Sequence, residues 1–334
     1  MSERLLIISP SFHGYWRSIE DAFAQLGYEV RTHCFDAAPK AEKVFNKLRF
    51  ELVSRLSGDQ QHLSPTLISR RAIKVMRDWR PHIVLVIRGD DFTAEFWDEL
   101  LNGPARHGLW IYDEIRRMGY DLDDLDTYGP IATYSKHDQA MLRERGLDPI
   151  HVLNAYDPKR SLRPALPQPE FTFVGARFDK RQQFLTRMAE HGLPIRAYGR
   201  DWSAHPIDRL RTWRWTTPPV ASHRDIPLAE AWAVMRDCLG TVNIHGDQDG
   251  FTMRTFEACG VGGVQLIDRP DVADLFEPEK EVLVFTTPEE LIDQSRRVLA
   301  DRTRMSALRE AAAKRALAEH TFVHRARTLE QMWA

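Results

Sequence analysis

The run NIHGDQDGFTMRTFEACGVGGVQL, at 243–266, is the densest gathering of groups able to do chemistry in this sequence. Its apolar start reads as a strand ending at His245. A turn with Gly246, Asp247, Asp249 and Gly250 follows, then Phe251 and a helix from about Thr252 to the glycines at 260, 262 and 263. The N–H groups of a helix's first turn, with the helix dipole behind them, form a site for an anion such as phosphate. Gly250 lets the backbone approach a ligand closely. Arg254 and Glu257 are three apart and share one helical face. A carboxylate on that face, one turn beyond a phosphate, can accept hydrogen bonds from a ribose. Taken singly, these acids read as solvated turn residues; the whole run carries the functional reading.

A second strand-turn-helix, FTFVGARFDKRQQF at 171–184, places Arg177, Lys180 and Arg181 at its turn. Cations there can neutralise charge developing on a leaving diphosphate, which lets an enzyme work without a metal. The spacing does not select among the three. Tyr198, in YGRDW after the next strand, is placed to flank a nucleobase by stacking, although an aromatic at such a position commonly just packs. In the first half, His13, Arg88-Gly-Asp90-Asp91 and Tyr112-Asp113-Glu114 also follow strands, where an acceptor could be held. Helix capping explains these acids equally well one at a time. Asp247-x-Asp249, Asp121-x-Asp123 and Asp124-x-Asp126 have the spacing by which a divalent metal can be gripped, but such triplets arise readily in an acid-rich chain.

The elements that must carry these residues alternate. Short apolar runs at 5–9, 28–35, 82–87, 109–112, 131–134 and 151–153 are separated by amphipathic stretches, including 39–57 and 64–79. The proline-rich segment DPKRSLRPALPQPE, 157–170, interrupts the pattern and reads as a hinge. Strands at 171–175, 195–198, 240–244, 263–267 and 282–285 then alternate with helices at 178–191, 227–237, 252–260 and a small one at 271–276; helices near 288–300, 302–318 and 322–333 end the chain. Strands joined by helices of this length imply βαβ units and parallel sheets. The expected architecture is α/β, with two doubly wound Rossmann-like domains facing a cleft. They are an N-terminal domain over 1–160 and a C-terminal domain over 170–320, with a last helix at 321–334 free to cross back to the first. Ligands in such sheets bind at the carboxyl ends of the strands.

The segment DGFTMRTFEACG, 249–260, resembles the E-x7-E motif of retaining GT-B glycosyltransferases, with Asp249 in the first acidic place. Over 243–285, and through LWIYDE at 109–114 and TYSKHDQAMLRERG at 133–146, the chain resembles the CgeB-like (spore-maturation-protein-like) glycosyltransferases. That resemblance implies transfer of a sugar from a nucleotide-diphosphate donor to an acceptor hydroxyl, without a metal or other cofactor, with retention favoured over inversion. Glu257 would hold the nucleotide ribose and Asp249 would face hydroxyls of the transferred sugar. Backbone N–H groups at Thr252 and Met253 would hold the diphosphate, with His245, Gly250, Phe251 and Arg254 around the donor. The loop bearing His13 would border the reacting sugar, where His13 could act as base; Asp113 is the general-base candidate for an inverting reaction. The acceptor would be a glycan, a lipid-linked saccharide or a small molecule. A nucleotide-sugar epimerase or hydrolase on the same scaffold, and a silent nucleotide-sugar-binding protein, are the alternatives.

Composition agrees with a globular enzyme. The 334 residues are 43% hydrophobic and 28% charged, with a net charge of −2, which lacks the basic field of a nucleic-acid binder. Cys34, Cys238 and Cys259 are odd in number and far apart, as expected of reduced thiols in a cytoplasmic protein. No run approaches the ~20 apolar residues of a membrane span, and the start reads as no cleavable signal. The chain has no GxxxxGK[ST] loop, no GxGxxG after the first strand and no GxSxG elbow.

Overall fold

A computed structural model describes residues 2–37, 65–163 and 169–334; the stretch at 39–57 and the middle of the proline-rich segment lie outside them. The chain forms two compact units, Met1–Leu153 with Phe322–Ala334, and Asn154–Thr321. The division therefore falls ahead of the proline-rich stretch.

The first unit contains strands β1 (Arg4–Ser9), β2 (Glu29–Cys34), β3 (Ile83–Ile87), β4 (Arg106–Ile111), β5 (Ile131–Thr133) and β6 (Ile150–His151). Helices α1 (Tyr15–Gln25), α2 (Pro65–Trp79), α3 (Ala94–Leu101) and α4 (Lys136–Glu144) connect them. All six strands run parallel in the order β2-β1-β3-β4-β5-β6. β3 reads IVLVI and is buried along its whole length, because parallel strands are covered on both faces. α2 buries Ile68, Ala72, Ile73 and Met76, one face at helical spacing, into the same core. Ser135 caps α4 by accepting the Asp138 N–H.

The second unit contains β7 (Phe171–Val174), β8 (Ile195–Tyr198), β9 (Ala221–His223), β10 (Gly240–Asn243), β11 (Gln265–Ile267) and β12 (Leu283–Val284). Its helices are α5 (Asp179–Glu190), α6 (Pro206–Thr212), α7 (Leu228–Asp237), α8 (Met253–Gly260), α9 (Pro288–Ala300) and α10 (Arg302–Glu319). The sheet is again parallel, in the order β12-β11-β10-β7-β8-β9. Thr287 and Glu290 close a capping box at the start of α9. Gly260 ends α8 where a Cβ would lie 2.3 Å from the Tyr156 ring, so only glycine fits that approach.

The last helix, α11 (Phe322–Leu329), belongs to the first unit, where Phe322 packs against Tyr15 of α1 at 6.4 Å between ring centroids. Tyr28 donates to the Glu330 carboxylate (2.8 Å) and Arg106 to the Trp333 carbonyl (2.8 Å), which ties the chain end down.

Three elements depart from the sequence expectation. β9 and α6 both fall in 199–226, which shows no apolar period. β9 is a three-residue edge strand with mixed burial, paired only to β8, and edge strands lack the two-sided apolar signature. α6 turns a polar residue inward and apolar ones outward. The small helix expected at 271–276 is a 3₁₀ turn at Pro270–Asp274.

Candidate functional site

In a doubly wound sheet the binding crevice opens where neighbouring strands send their connections in opposite directions. In the second unit that point lies between β7 and β10. The turn after β7 carries Arg177, Lys180 and Arg181, and the loop after β10 carries His245 to Thr252, so both sequence-derived motifs meet there. Arg181 joins them. Its Nε donates to the Ile244 carbonyl (2.7 Å) and its Nη1 to the Ala176 carbonyl (3.0 Å). The guanidinium lies over the Phe178 ring, 4.7 Å from its centroid. Burial pulls the Arg181 pKa down to about 10, with Asp268 opposing and Arg254 adding to the fall, which still leaves a cation at neutral pH.

The three cations of this turn differ in what they can do. Lys180 donates to Asp268 Oδ2 at 2.6 Å, yet 49% of its side chain faces solvent. It can reach a ligand by a small rotation. Arg177, expected as a diphosphate contact, is instead buried and committed to the fold. It donates to Gln182 (2.9 Å) and to the carbonyls of Thr216 (2.9 Å) and Asp201 (3.4 Å). Burial, with Arg214 nearby, lowers its pKa. A guanidinium satisfied by backbone carbonyls pins a turn and is not offered to an anion.

Behind Lys180 lies a polar network that sequence reading missed. His245 donates its backbone N–H to Asp268 Oδ1, and its Nδ1 lies 2.9 Å from the same oxygen. Burial alone would raise the Asp268 carboxyl, but the bonds from His245 and Lys180 outweigh it and hold the group below the usual carboxylate range. On the far side of the imidazole, Nε2 lies 3.4 Å from the Thr255 hydroxyl, which in turn accepts from Asn243 Nδ2 at 3.1 Å. Asn243 also donates to Gln265 (2.9 Å). Both ring nitrogens of His245 have a polar partner inside the protein, a carboxylate on one side and a hydroxyl on the other. His245 is thus an internal support of the loop, not a surface contact for the donor as the sequence suggested.

The 248–252 loop is held by its carbonyls. Arg269 donates to the carbonyls of Gln248 (3.1 Å) and Asp249 (2.8 Å) and lies over Phe251 at 4.6 Å. Asn154 donates to the Phe251 carbonyl (2.8 Å). Gly250 and Phe251 are buried within this arrangement, and the Asp249 side chain is half-buried. Thr252 occupies the cap position of α8, and its side chain makes no capping bond to the first turn that Met253 opens.

Arg254 pairs with Glu257 at 3.3 Å, as the spacing predicts. Glu257, the expected ribose ligand, is 0% exposed. Its position on α8 turns it toward the interior, where Arg254 compensates part of its charge. Tyr198 is also buried, with its ring 5.5 Å from that of His223, so it offers no open face for stacking. Phe178, half-exposed above Arg181, is the aromatic that does.

In the first unit the corresponding switch lies between β1 and β3. His13, after β1, is exposed with φ 48°, and Arg88, after β3, has φ 55°. Left-handed non-glycine residues are uncommon and gather at functional loops. Arg88 donates to Asp90 (3.2 Å), and that pairing outweighs burial to keep its pKa raised, with Asp113 and Asp91 contributing. Burial and Asp90 push Asp91 up. Asp113 is half-buried and accepts the Glu114 N–H at 2.9 Å. Among the described residues, no three His, Cys, Asp or Glu side chains come together in a metal-binding group, and no helix is long and apolar enough to cross a membrane.

Among curated proteins, none matches this sequence. Among solved structures, sucrose-phosphate synthase from Thermosynechococcus elongatus superposes with a TM-score of 0.62 at 14% identity, covering 99% of this chain and 98% of that one. HepE from Anabaena, in complex with UDP, superposes at 0.63 with 11% identity and 98% of both chains. T4 phage BGT, in complex with its UDP-glucose substrate, superposes at 0.56 with 12% identity, covering 98% and 97%. Residues 177–331 match the glycosyl transferase-like family, the segment that holds β8–β12 and the Lys180–Asp268–His245 network. That match lies mainly in the second unit, and the two parallel six-stranded sheets are the GT-B fold that the chain shares with its solved neighbours.

Proposed function

We propose that the second unit binds a nucleotide-diphosphate sugar at the β7–β10 switch and that the enzyme moves the sugar to an acceptor hydroxyl without a metal. The observation that carries this reading is the half-exposed Lys180 ammonium, held by the Asp268 carboxylate that also binds His245 at the end of β10. In the transfer, the bond between the anomeric carbon and the diphosphate breaks and its electron pair leaves with the phosphate oxygen. Lys180, Arg181 and the first-turn N–H groups of α8 stabilise that charge. Asp249 faces the hydroxyls of the sugar, and Glu257, buried against Arg254, holds that partly exposed guanidinium toward the ribose. The resemblance of 249–257 to the E-x7-E motif of retaining enzymes favours retention. The loops bearing His13, Arg88 and Asp113 receive the acceptor, whose hydroxyl oxygen bonds to the anomeric carbon while its proton passes to the departing diphosphate oxygen. The solved neighbours bound to UDP and UDP-glucose support a uridine donor as the first to try. The motifs favour a CgeB-like subfamily. The thiols Cys34, Cys238 and Cys259 suit a reducing, cytoplasmic setting.

A thermal-shift series with nucleoside diphosphates in EDTA tests this. A ligand that binds only the native state adds about 2–3 kcal/mol at roughly a hundredfold excess over Kd. Stabilisation by at least one nucleotide in EDTA is expected. A response that needs Mg²⁺ or Mn²⁺ would overturn the metal-free part, and nucleotide release without any acceptor would favour a hydrolase.

A further inference from the structure

The segment joining β8 to β9 wears its polarity inside out. On α6, Asp208 is buried and paired with Arg224 through two bonds of 2.7 and 2.9 Å, while Ile207 and Leu210 point outward. Trp213 follows with φ 55°, a left-handed helix end normally taken by glycine or asparagine, and its indole stays outside. Ile207, Leu210, Trp213 and Trp215 are 51–66% exposed. Of the nine exposed large hydrophobics among the described residues, these four fall within nine consecutive positions, so they form a patch and not a scatter.

The patch is basic. Arg211 is exposed and Arg209 and Arg214 are half-exposed around the apolar side chains. The nearby acids are neutralised or turned away: Asp208 by Arg224, and Asp225 by Arg200 at 3.9 Å. Asp201 is half-buried, its carboxylate 3.4 Å from the Arg177 N–H. The segment is also braced, because the Thr216 carbonyl accepts from Arg177 and Arg214 donates to the Arg177 carbonyl. It presents a fixed face.

We propose that this face docks the enzyme onto an anionic lipid bilayer. Indoles favour the headgroup level, aliphatic side chains enter the acyl boundary, and guanidinium groups pair with lipid phosphates. The aliphatic members decide the choice. A nucleic acid could use the arginines and tryptophans, but would leave Ile207 and Leu210 without an apolar partner. A bilayer uses all of them at once.

The test is co-sedimentation of the full chain with phosphatidylcholine vesicles, with and without phosphatidylglycerol, at rising salt. Binding is expected only with the anionic lipid and should weaken with salt. The double variant Leu210→Ser/Trp213→Ser should lose roughly tenfold or more in partitioning, and Arg211→Ala roughly fivefold. Both variants should keep the wild-type melting temperature and nucleotide response, since these side chains lie outside the donor site. If the double variant is misfolded, Ile207→Ser makes the same test of the apolar face. No partitioning by the wild type, equal binding to neutral vesicles, or variants that bind as well would overturn the proposal. So would a self-association that the Leu210→Ser/Trp213→Ser variant dissolves, which would assign the face to a second copy. Binding of a homopolymeric RNA with the same dependence on Leu210 and Trp213 would likewise overturn it.

Discussion

The His245 imidazole and the Asp268 carboxylate meet at 2.9 Å with each side chain 1% exposed, and the other Asp268 oxygen holds Lys180. One carboxylate thus orients a loop histidine and aims a cation.

Asp268→Asn should therefore cost about 1.5–3 kcal/mol at neutral pH, the range for hydrogen bonds to a charged group. The sign of its pH dependence follows from the lowered folded-state pKa. The contribution is full above the unfolded value of about 3.9 and is lost as pH falls through the lower folded value. Urea unfolding of both proteins should show a constant gap from neutral pH to about pH 5, closing below about pH 4. A gap that persists unchanged in acid would contradict an ionised Asp268.

Lys180 and Arg177 should separate cleanly. Lys180→Ala should lower kcat by roughly 10²–10³, as for removal of one preorganised donor to a developing charge. Arg177→Ala should instead lose about 2–4 kcal/mol of stability while its folded fraction keeps turning over. Steady-state rates beside chemical denaturation would distinguish them; a stable, inactive Arg177 variant would reverse the two roles.

Glu257→Gln should weaken nucleotide binding roughly tenfold, because it removes the charge-assisted bond that holds Arg254 beside the donor. Because Glu257 is fully buried and paired with Arg254, the same change should also cost about 1–2 kcal/mol of stability. Calorimetric titration and unfolding of one preparation measure both. Unaltered affinity with only a stability loss would make Glu257 a structural residue.

Gly260→Ala should destabilise by about 1–3 kcal/mol, since the new methyl meets the Tyr156 ring and a packed core must shift to admit it. Thermal unfolding decides it, and a melting temperature equal to wild type would show that Tyr156 yields freely.

Local pattern was enough to locate most strands and helices. The apolar runs of β1, β3 and β7 are contiguous in sequence, and the buried faces of α2 and α9 recur at helical spacing. The glycines, acids and cations after β7 and β10 marked the site for the same reason, and the Arg254–Glu257 pair needs only one helical turn. What lay beyond local reach depends on partners distant in the chain. Asp268 is 23 residues from His245 and 88 from Lys180, and only the parallel register of β10 and β11 and the start of α5 beside them brings the three together. Sequence spacing put Arg177, Lys180 and Arg181 on equal terms. Tertiary packing separated them, because the carbonyls of Thr216 and Asp201 capture Arg177 while Lys180 keeps an open side. Burial of Glu257 and Tyr198, the edge strand β9 and the outward apolar face of α6 were decided in the same way: burial is a property of what surrounds a side chain, which periodicity does not encode.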